Sequence, residues 1–222
     1  MKKSEILTGL PLFLGMAATD LEAAADMVQF VTRRYGRRRV VISDGDRCNS
    51  LCFLSEGQLS ATTFAHDRGF SVSETLSAPC VLQPERLFGL NQLFTKTFTT
   101  LTPCTIVAIG KSDVARLAEQ YMIFRLNLLN MLSTQTQKAD RNLWRTQPDG
   151  TRRSIVRFIE SHCSRPAGEK VINITMQRLA DEVHESRLNV SRQLNAMSRE
   201  GIISIRRSEI RVPALERLLI TQ

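Results

Sequence analysis

"TMQRLADEVHESRLNVSRQLNAMSREG", residues 175–201, holds two short helical patterns with only a few residues between them. Thr175 precedes the first and Ser186 the second, and both are residue types whose side-chain oxygen caps the free N–H groups of a helix's first turn. Gly201 stands where the second pattern should stop. Two capped helices joined so tightly form a helix-turn-helix, and the small side chain of Ala180 lets the second helix come close to the first. Helical spacing puts Val183, Val190, Leu194 and Met197 on the buried side. Arg187, Asn189, Ser191 and Arg192 are left toward the outer face and N-terminal half of the second helix, where a recognition helix meets base edges. Arginine forks onto guanine, asparagine pairs with adenine and serine reaches phosphate or base. Ser186, Leu188 and, on the first helix, Gln177 complete the expected DNA-facing set. An ordinary helical hairpin with solvated arginines is the bland alternative. His184 occupies the turn position that usually carries glycine, and Gln193 stands where an apolar core residue is common.

Working outward, "GIISIRRSEIRV" (201–212) reads as a β-hairpin with Arg206 and Arg207 at its tip, a wing able to reach phosphates. Upstream, Arg152 to His162 places Ile155, Val156, Phe158 and Ile159 on one face, and "VINI" forms a short strand. "TQPDG" (146–150) is a breaker cluster and marks a domain boundary.

Before it, Lys111 to Trp144 carries no proline or glycine, and Ser112 or Asp113 is placed to cap its start. A helix of about 32 residues is about 48 Å long, more than a small domain needs. Leu117, Tyr121, Phe124, Leu128, Met131 and Gln135 alternate steps of four and three, the seam of a two-helix coiled coil. Met122, Leu126, Leu129 and Leu132 form a second stripe. One stripe is expected to pack on the preceding domain and the other on a second copy.

From Val40 to about Ile109 the chain breaks into β-rich runs, "RVVIS", "SLCFLS", "QLSATTF", "FSVSETL" and "TIVAIG", separated by Asp44-Gly45-Asp46, Glu56-Gly57 and Asp67-Arg68-Gly69. Strand-length runs with such turns predict an antiparallel β-roll or sandwich. One helix is expected to interrupt it, "PERLFGLNQLF", with Pro84 in its first turn and Leu87, Leu90 and Phe94 at helical spacing.

The 222 residues carry 30 Lys and Arg against 22 Asp and Glu, a net +8 that favours polyanionic partners without naming one. Residues 146–222 hold 13 basic and 9 acidic side chains and residues 1–145 hold 17 and 13, so placement decides rather than total charge. Five cysteines, at 48, 52, 80, 104 and 163, form no CxxC pair, which points to reduced thiols in the cytoplasm. "MKKSEILTGLPLFLGMAATDLEAAA" imitates a signal peptide, but Glu5, Gly9, Pro11 and Gly15 break its apolar run, so it reads as the opening of a globular domain with no membrane partner. The three histidines, His66, His162 and His184, are scattered, and no nucleophile has an evident partner, so no enzyme is expected. "RRYGRRR" (33–39) reads as a solvated face, with an anion or RNA polymerase as the alternative occupant.

"LPLFLGMAATDLEAAA", "VVISDGDRCNSLCFLSEGQLSATT" and "ITMQRLADEVHESRLNVSRQLNAMSREGIIS", taken in order over nearly the whole chain, resemble the catabolite-activator and fumarate-nitrate (Crp/Fnr) family of bacterial transcription regulators. The resemblance implies an α+β chain: an N-terminal antiparallel β-roll like a cyclic-nucleotide-binding domain, a long dimerisation helix, then a C-terminal winged helix-turn-helix. The expected domains are 1–110, 111–145 and 146–222. It also implies a homodimer whose recognition helices enter double-stranded DNA about 34 Å apart on a near-palindromic site. Arg187 and Arg192 match arginines that family members place on bases or phosphate, whereas Leu188 replaces a glutamate. Leucine accepts nothing from cytosine but touches a thymine methyl, so a different half-site is expected.

Cyclic-nucleotide binders of the family show a glycine-glutamate pair and an arginine-serine or arginine-threonine pair. Here Gln83-Pro84 and Phe94-Thr95 fall at those places, and Lys96-Thr97 substitutes only after a two-residue slip. The phosphate loses its bidentate partner, so cAMP is not the expected effector. No cofactor is expected: an iron-sulfur cluster needs clustered thiolates, Cys48 and Cys52 make at best half a site, and His66 reads as a solvated loop histidine rather than a haem ligand. The residues leave the effector unnamed. The rival reading is a ligand- or redox-sensing module whose helix-turn-helix contacts protein.

Overall fold

A computed structural model describes residues 3–143 and 148–220. They form two compact units, one of residues 3–60 and 76–143, the other of 61–75 and 148–220.

The first unit begins with α1 (Lys3–Thr8), a single 3-10 turn at Pro11–Phe13, and α2 (Ala18–Met27). Leu7, Leu10, Leu12, Phe13 and Leu21 are buried, so the apolar opening is core. No described helix is long and apolar enough to cross a membrane. The roll follows with β1 (Phe30–Tyr35), β2 (Val40–Ile42), β3 (Ser50–Glu56), β4 (Gln58–Phe64), β5 (Ser71–Ser77), β6 (Cys80–Leu82), β7 (Thr97–Thr100) and β8 (Cys104–Gly110). One sheet is ordered β1-β8-β3-β6, and β2, β7 and β4 run side by side in another. Central β8 is apolar at almost every position and pairs antiparallel with β1 (Thr32↔Val107) and β3 (Leu51↔Ile109).

Two sequence expectations change here. The roll starts ten residues earlier than Val40, because β1 is an edge strand whose middle four residues are exposed and leave no alternation to read. The helix expected at "PERLFGLNQLF" is one 3-10 turn, Pro84–Arg86. Gln83 at φ 41° and Gly89 at φ 94° bracket it and turn the chain away, leaving Leu87 and Phe94 buried but Leu90 fully exposed.

The long helix is two, α3 (Lys111–Gln120) and α4 (Met122–Leu143), and Trp144 lies outside the described residues. Tyr121 is extended (φ −112°, ψ 108°); its N–H closes α3 on the Leu117 carbonyl, and its own carbonyl accepts the Arg125 N–H. No proline or glycine causes this break. Burial of Tyr121 and of the Phe124 ring, 5.0 Å from Phe13, pulls the chain onto the roll. Neither Ser112 nor Asp113 caps α3; Gly110 is the N-cap, and the Asp113 carboxylate accepts from the Gln29 N–H instead.

The stripe expected to form the dimer seam is reassigned. Leu117, Tyr121, Phe124 and Leu128 are buried within their own chain, and Met131 and Gln135 are half-buried. The second stripe faces outward: Met122, Leu126 and Leu129 are 64%, 49% and 52% exposed, with Ile123 and Leu14 beside them also exposed. Asn127 donates to the Leu12 and Leu14 carbonyls and so fixes which side of α4 meets the N-terminal segment.

The second unit comprises α5 (Thr151–Ser161), β9 (Lys170–Asn173), α6 (Met176–Glu182), α7 (Arg187–Arg199), β10 (Ser204–Arg206), β11 (Glu209–Val212) and α8 (Leu215–Ile220). The expected boundary "TQPDG" falls partly outside the described residues; Gly150, at φ 88°, is the N-cap of α5. The core gathers Ile155, Phe158, Ile172, Leu179, Val190, Leu194, Met197 and Val212. It also takes Phe70 and Val72 from the tip of the β4–β5 hairpin, and the sheet of this unit runs β5-β9-β11-β10.

The helix-turn-helix corner rests on two side-chain caps and a left-handed residue. Thr175 accepts from the Arg178 N–H and Ser186 from the Asn189 N–H, both as the sequence expects. Val183, Val190, Leu194 and Met197 are all buried. After α6, His184 adopts φ 55°, its N–H reaching the Asp181 carbonyl and that of Glu185 the Ala180 carbonyl. This is a Schellman motif with histidine in glycine's place. Gly201 (φ 72°) closes α7 in the same way. A side chain at left-handed φ costs about 1 kcal/mol. His184→Gly is therefore expected to raise the stability of this unit by about 1 kcal/mol, read as a shift in its urea midpoint at constant slope.

Candidate nucleic-acid interface

The outer face of α7 is set by its buried one. With Val190, Leu194 and Met197 inward, Leu188 and Arg192 sit at the centre of the solvent side, followed at helical spacing by Asn195 and Arg199. Arg187 is exposed on one flank, and Asn189 and Ser191 are half-buried on either side. Leu188, 69% exposed on a helix whose other leucine is fully buried, has no packing role in this unit. An apolar side chain held out among arginines suits contact with a thymine methyl.

Asn195 and Arg199 lie beyond the N-terminal half of the helix, to which the sequence expectation confines the DNA-facing residues. Their spacing from Leu188 and Arg192 is the signal that finds them. Asn195 donates to the Ser191 hydroxyl, and the Arg199 Nε donates to the Asn195 carbonyl at the long distance of 3.4 Å. Ser186 accepts as the cap of α7, which leaves its own proton free to donate outward. Gln177 is exposed on α6, its amide held by Asp181 at 2.9 Å.

At the wing, Arg206 and Arg207 are exposed around a turn that Ser208 makes at φ 56°, so the expected tip is where the structure puts it. Between the wing and the start of α6 lies a pocket of about 180 Å³, lined by Ile174, Thr175, Leu194, Ile205, Arg207 and Ile210 among others. The bidentate pair of Arg152 with Glu200, at 2.8 and 2.7 Å, fastens the start of α5 to the end of α7. Arginines 187, 192, 199, 206 and 207 thus lie on one recognition helix and its wing, fixed in direction by caps, core and turn.

Two family models match the chain in tandem: a cyclic nucleotide-binding domain over residues 32–121 and a Crp-like helix-turn-helix domain over residues 153–219. The chain belongs to the Crp/Fnr family of transcription regulators. Among solved structures it is similar to the catabolite activator protein of Thermus thermophilus, at 17% identity, covering 95% of this chain and 96% of that one with a TM-score of 0.50. The c-di-GMP-responsive global regulator CLP of Xanthomonas campestris aligns at 19% identity over 83% and 94% of the two chains, TM-score 0.46. FixK2 of Bradyrhizobium japonicum aligns at 12% identity over 87% and 97%, TM-score 0.48. Identities this low speak for the fold alone. No curated protein sequence matches the chain.

The model matched over residues 32–121 is that of a cyclic nucleotide-binding domain, and the residues at its two phosphate- and ribose-holding places do not fit a cyclic nucleotide. Gln83 and Thr95, at the two motif places, are joined to each other: the Gln83 amide donates to the Thr95 hydroxyl at 2.7 Å and accepts the Thr95 N–H at 3.1 Å. The residue in the arginine's place, Phe94, is buried edge-on to Phe98. Arg86, the one arginine between residues 83 and 97, stands at neither motif place; it lies 4.0 Å from the Glu85 carboxylate, beyond hydrogen-bond reach, and its buried Nε has no hydrogen-bond partner among the described residues. At the two motif places a cyclic phosphate therefore meets an aromatic ring and an amide already bonded to Thr95, not the bidentate guanidinium of the family's binders.

Redox chemistry at Cys48 and Cys52 is also disfavoured. Both thiols point at the Ser50 carbonyl, 3.7 Å from each. Burial, then Glu85, pushes Cys48 up to about 11. Burial, then the Cys48 thiol, pushes Cys52 up to about 12. Thiols so raised stay protonated, hence unreactive, at neutral pH. Among the described residues no cluster of three metal-ligating side chains exists. The folded protein at neutral pH is expected to leave Cys48 and Cys52 unalkylated by iodoacetamide under conditions that label both in urea, as peptide mass spectrometry would read.

Proposed function

We propose that the protein is a homodimeric, sequence-specific DNA-binding transcription regulator whose roll responds to something other than a cyclic nucleotide. The observation that carries the reading is the Ser186-capped α7, which presents Arg187, Leu188, Arg192 and Arg199 on one solvent face beside a wing tipped with Arg206 and Arg207. Arg187 and Arg192 take bases or phosphate, Leu188 a thymine methyl, Asn189 and Ser191 the flanking edges, and the wing arginines the backbone. Gln177 and Ser186 bind phosphate at the helix starts. Because phosphate contacts dominate affinity, binding weakens steeply with salt.

Two copies are supported by the outward stripe of α4. Met122, Leu126 and Leu129 alternate steps of four and three, the spacing of a two-helix seam, on a helix of 22 residues. A contiguous apolar row left in water marks an interface. Pairing of α4 with α4 in a second copy sets two recognition helices for a two-fold symmetric site. The Arg33 to Arg39 arginines are exposed on β1 and the turn after it, in keeping with a solvated face.

Selection from a random duplex pool at two salt concentrations is expected to enrich a symmetric motif, with affinity falling as salt rises; no enrichment at either salt sinks the reading. On the enriched site Arg187→Ala is expected to cost about 1–3 kcal/mol and relax one base position. Leu188→Glu is expected to move the preference at its position from thymine toward cytosine, since the carboxylate accepts from the cytosine amino group. The double substitution Leu126→Glu with Leu129→Glu is expected to give a monomer by light scattering without unfolding the roll, because both side chains are exposed within the chain.

A further inference from the structure

We propose that the tip of the β4–β5 hairpin is a detachable strand of the DNA-binding unit, latched by Glu74 on Lys170, through which the state of the roll sets the wing and the recognition helix. The hairpin leaves the roll at residue 61 and returns to it after residue 75, and everything between belongs to the other unit. Ser71 to Glu74 pair in register with Asn173 to Lys170. β9 pairs in turn with β11, and β11 with β10, which ends at Arg206. The sheet that carries the wing is therefore built on a strand borrowed from the roll hairpin.

The latch is ionic and dry. The side chains of Lys170 and Glu74 are 1% and 3% exposed, with Nζ 3.0 Å from Oε1. Glu74 also accepts the Ser164 and Arg165 N–H groups at 3.0 Å each, and Lys170 donates to the Ala167 carbonyl. One carboxylate from the hairpin thus holds both the loop before β9 and the first residue of β9. A buried ammonium that loses its carboxylate is strongly unfavourable, so the strand is seated completely or not at all. The pleat adds to this, because a one-residue slip of β5 turns Glu74 to the opposite face. Around the latch, Phe70 packs 5.3 Å from the Phe158 ring and 5.2 Å from that of His162. At the rim, Asp67 pairs with Arg178 of α6 at 2.8 Å, so the tip also touches the first helix of the helix-turn-helix. A conformational change in the roll that draws on β4 or β5 either leaves this strand in place or withdraws it, and withdrawal strands Lys170 beneath the wing.

The inference rests on the DNA-binding reading for its consequence but not for the latch itself. Hydrogen exchange by mass spectrometry on the full chain without DNA, with affinity for the selected duplex measured in parallel, tests both. Glu74→Gln removes the charge that Lys170 pairs with and keeps one acceptor oxygen where the Ser164 and Arg165 N–H groups use two; exchange over 71–74 and 170–173 is expected to speed up about tenfold or more and affinity to fall about tenfold. Glu74→Gln combined with Lys170→Met, which leaves no buried charge and only one loop N–H without its acceptor, is expected to slow exchange and to raise affinity at least about threefold relative to Glu74→Gln alone. Should Glu74→Gln alone prove insoluble, recovery of folded protein by the double variant makes the same point, and its failure counts against the latch. Unchanged exchange in Glu74→Gln, no rescue by the second substitution, or faster exchange with undiminished affinity overturns the proposal. A parent protein that selects no DNA removes the DNA-binding reading and leaves the exchange result to stand or fall alone.

Discussion

The contact on which the second unit depends is the one between Glu74 and Lys170, two opposite charges taken out of water 96 residues apart in sequence. Neither is tolerable there alone, since an unpaired buried ion costs several kcal/mol. Their meeting obliges β5 to lie beside β9, which brings Phe70 and Val72 into the core under α5 and α6. The helix-turn-helix therefore stands on a sheet that its own contiguous stretch of chain does not complete.

In the first unit the same role falls to aromatic packing. Phe13 lies 6.3 Å from the Phe53 ring and 5.0 Å from that of Phe124, joining the N-terminal segment, a central roll strand and α4. Burying each ring is worth roughly 1.5–3 kcal/mol, enough to bend the chain at Tyr121 where local sequence favours an unbroken helix. That bend selects which stripe of α4 is buried within the chain and which is left exposed. Amphipathicity on two sides is a statement about two neighbours, and only packing says which neighbour takes which side.

The interface and the roll both depart from the family at single chemical points. Leu188 puts an exposed apolar side chain on an otherwise polar face without disturbing the fold. Gln83 and Thr95 replace an open anion site with a closed pair of hydrogen bonds, so the roll keeps its architecture while losing the chemistry that holds a cyclic phosphate. Folds outlast the sites grafted on them.

Local chemistry was legible wherever a residue acts on its own neighbours. The Thr175 and Ser186 caps, the left-handed His184 and Gly201, the turns at Gly45 and Gly57, and the arginine tip of the wing could all be read directly, because capping and positive φ are short-range requirements. β1 is not legible because an exposed edge strand needs no alternation, and the 3-10 turn after Pro84 looks like a helix in sequence because three apolar residues at helical spacing do not reveal that one of them, Leu90, stays in water. Asn195 and Arg199 followed from the helix phase once the buried face was known. The sequence by itself determined the helix-turn-helix with its caps and turns, the arginine tip of the wing and the outer face of the first half of α7. Tertiary structure alone decided the break at Tyr121, the assignment of the two stripes on α4 and the loan of residues 61–75 to the second unit, since each is settled by contacts between segments that no local pattern encodes.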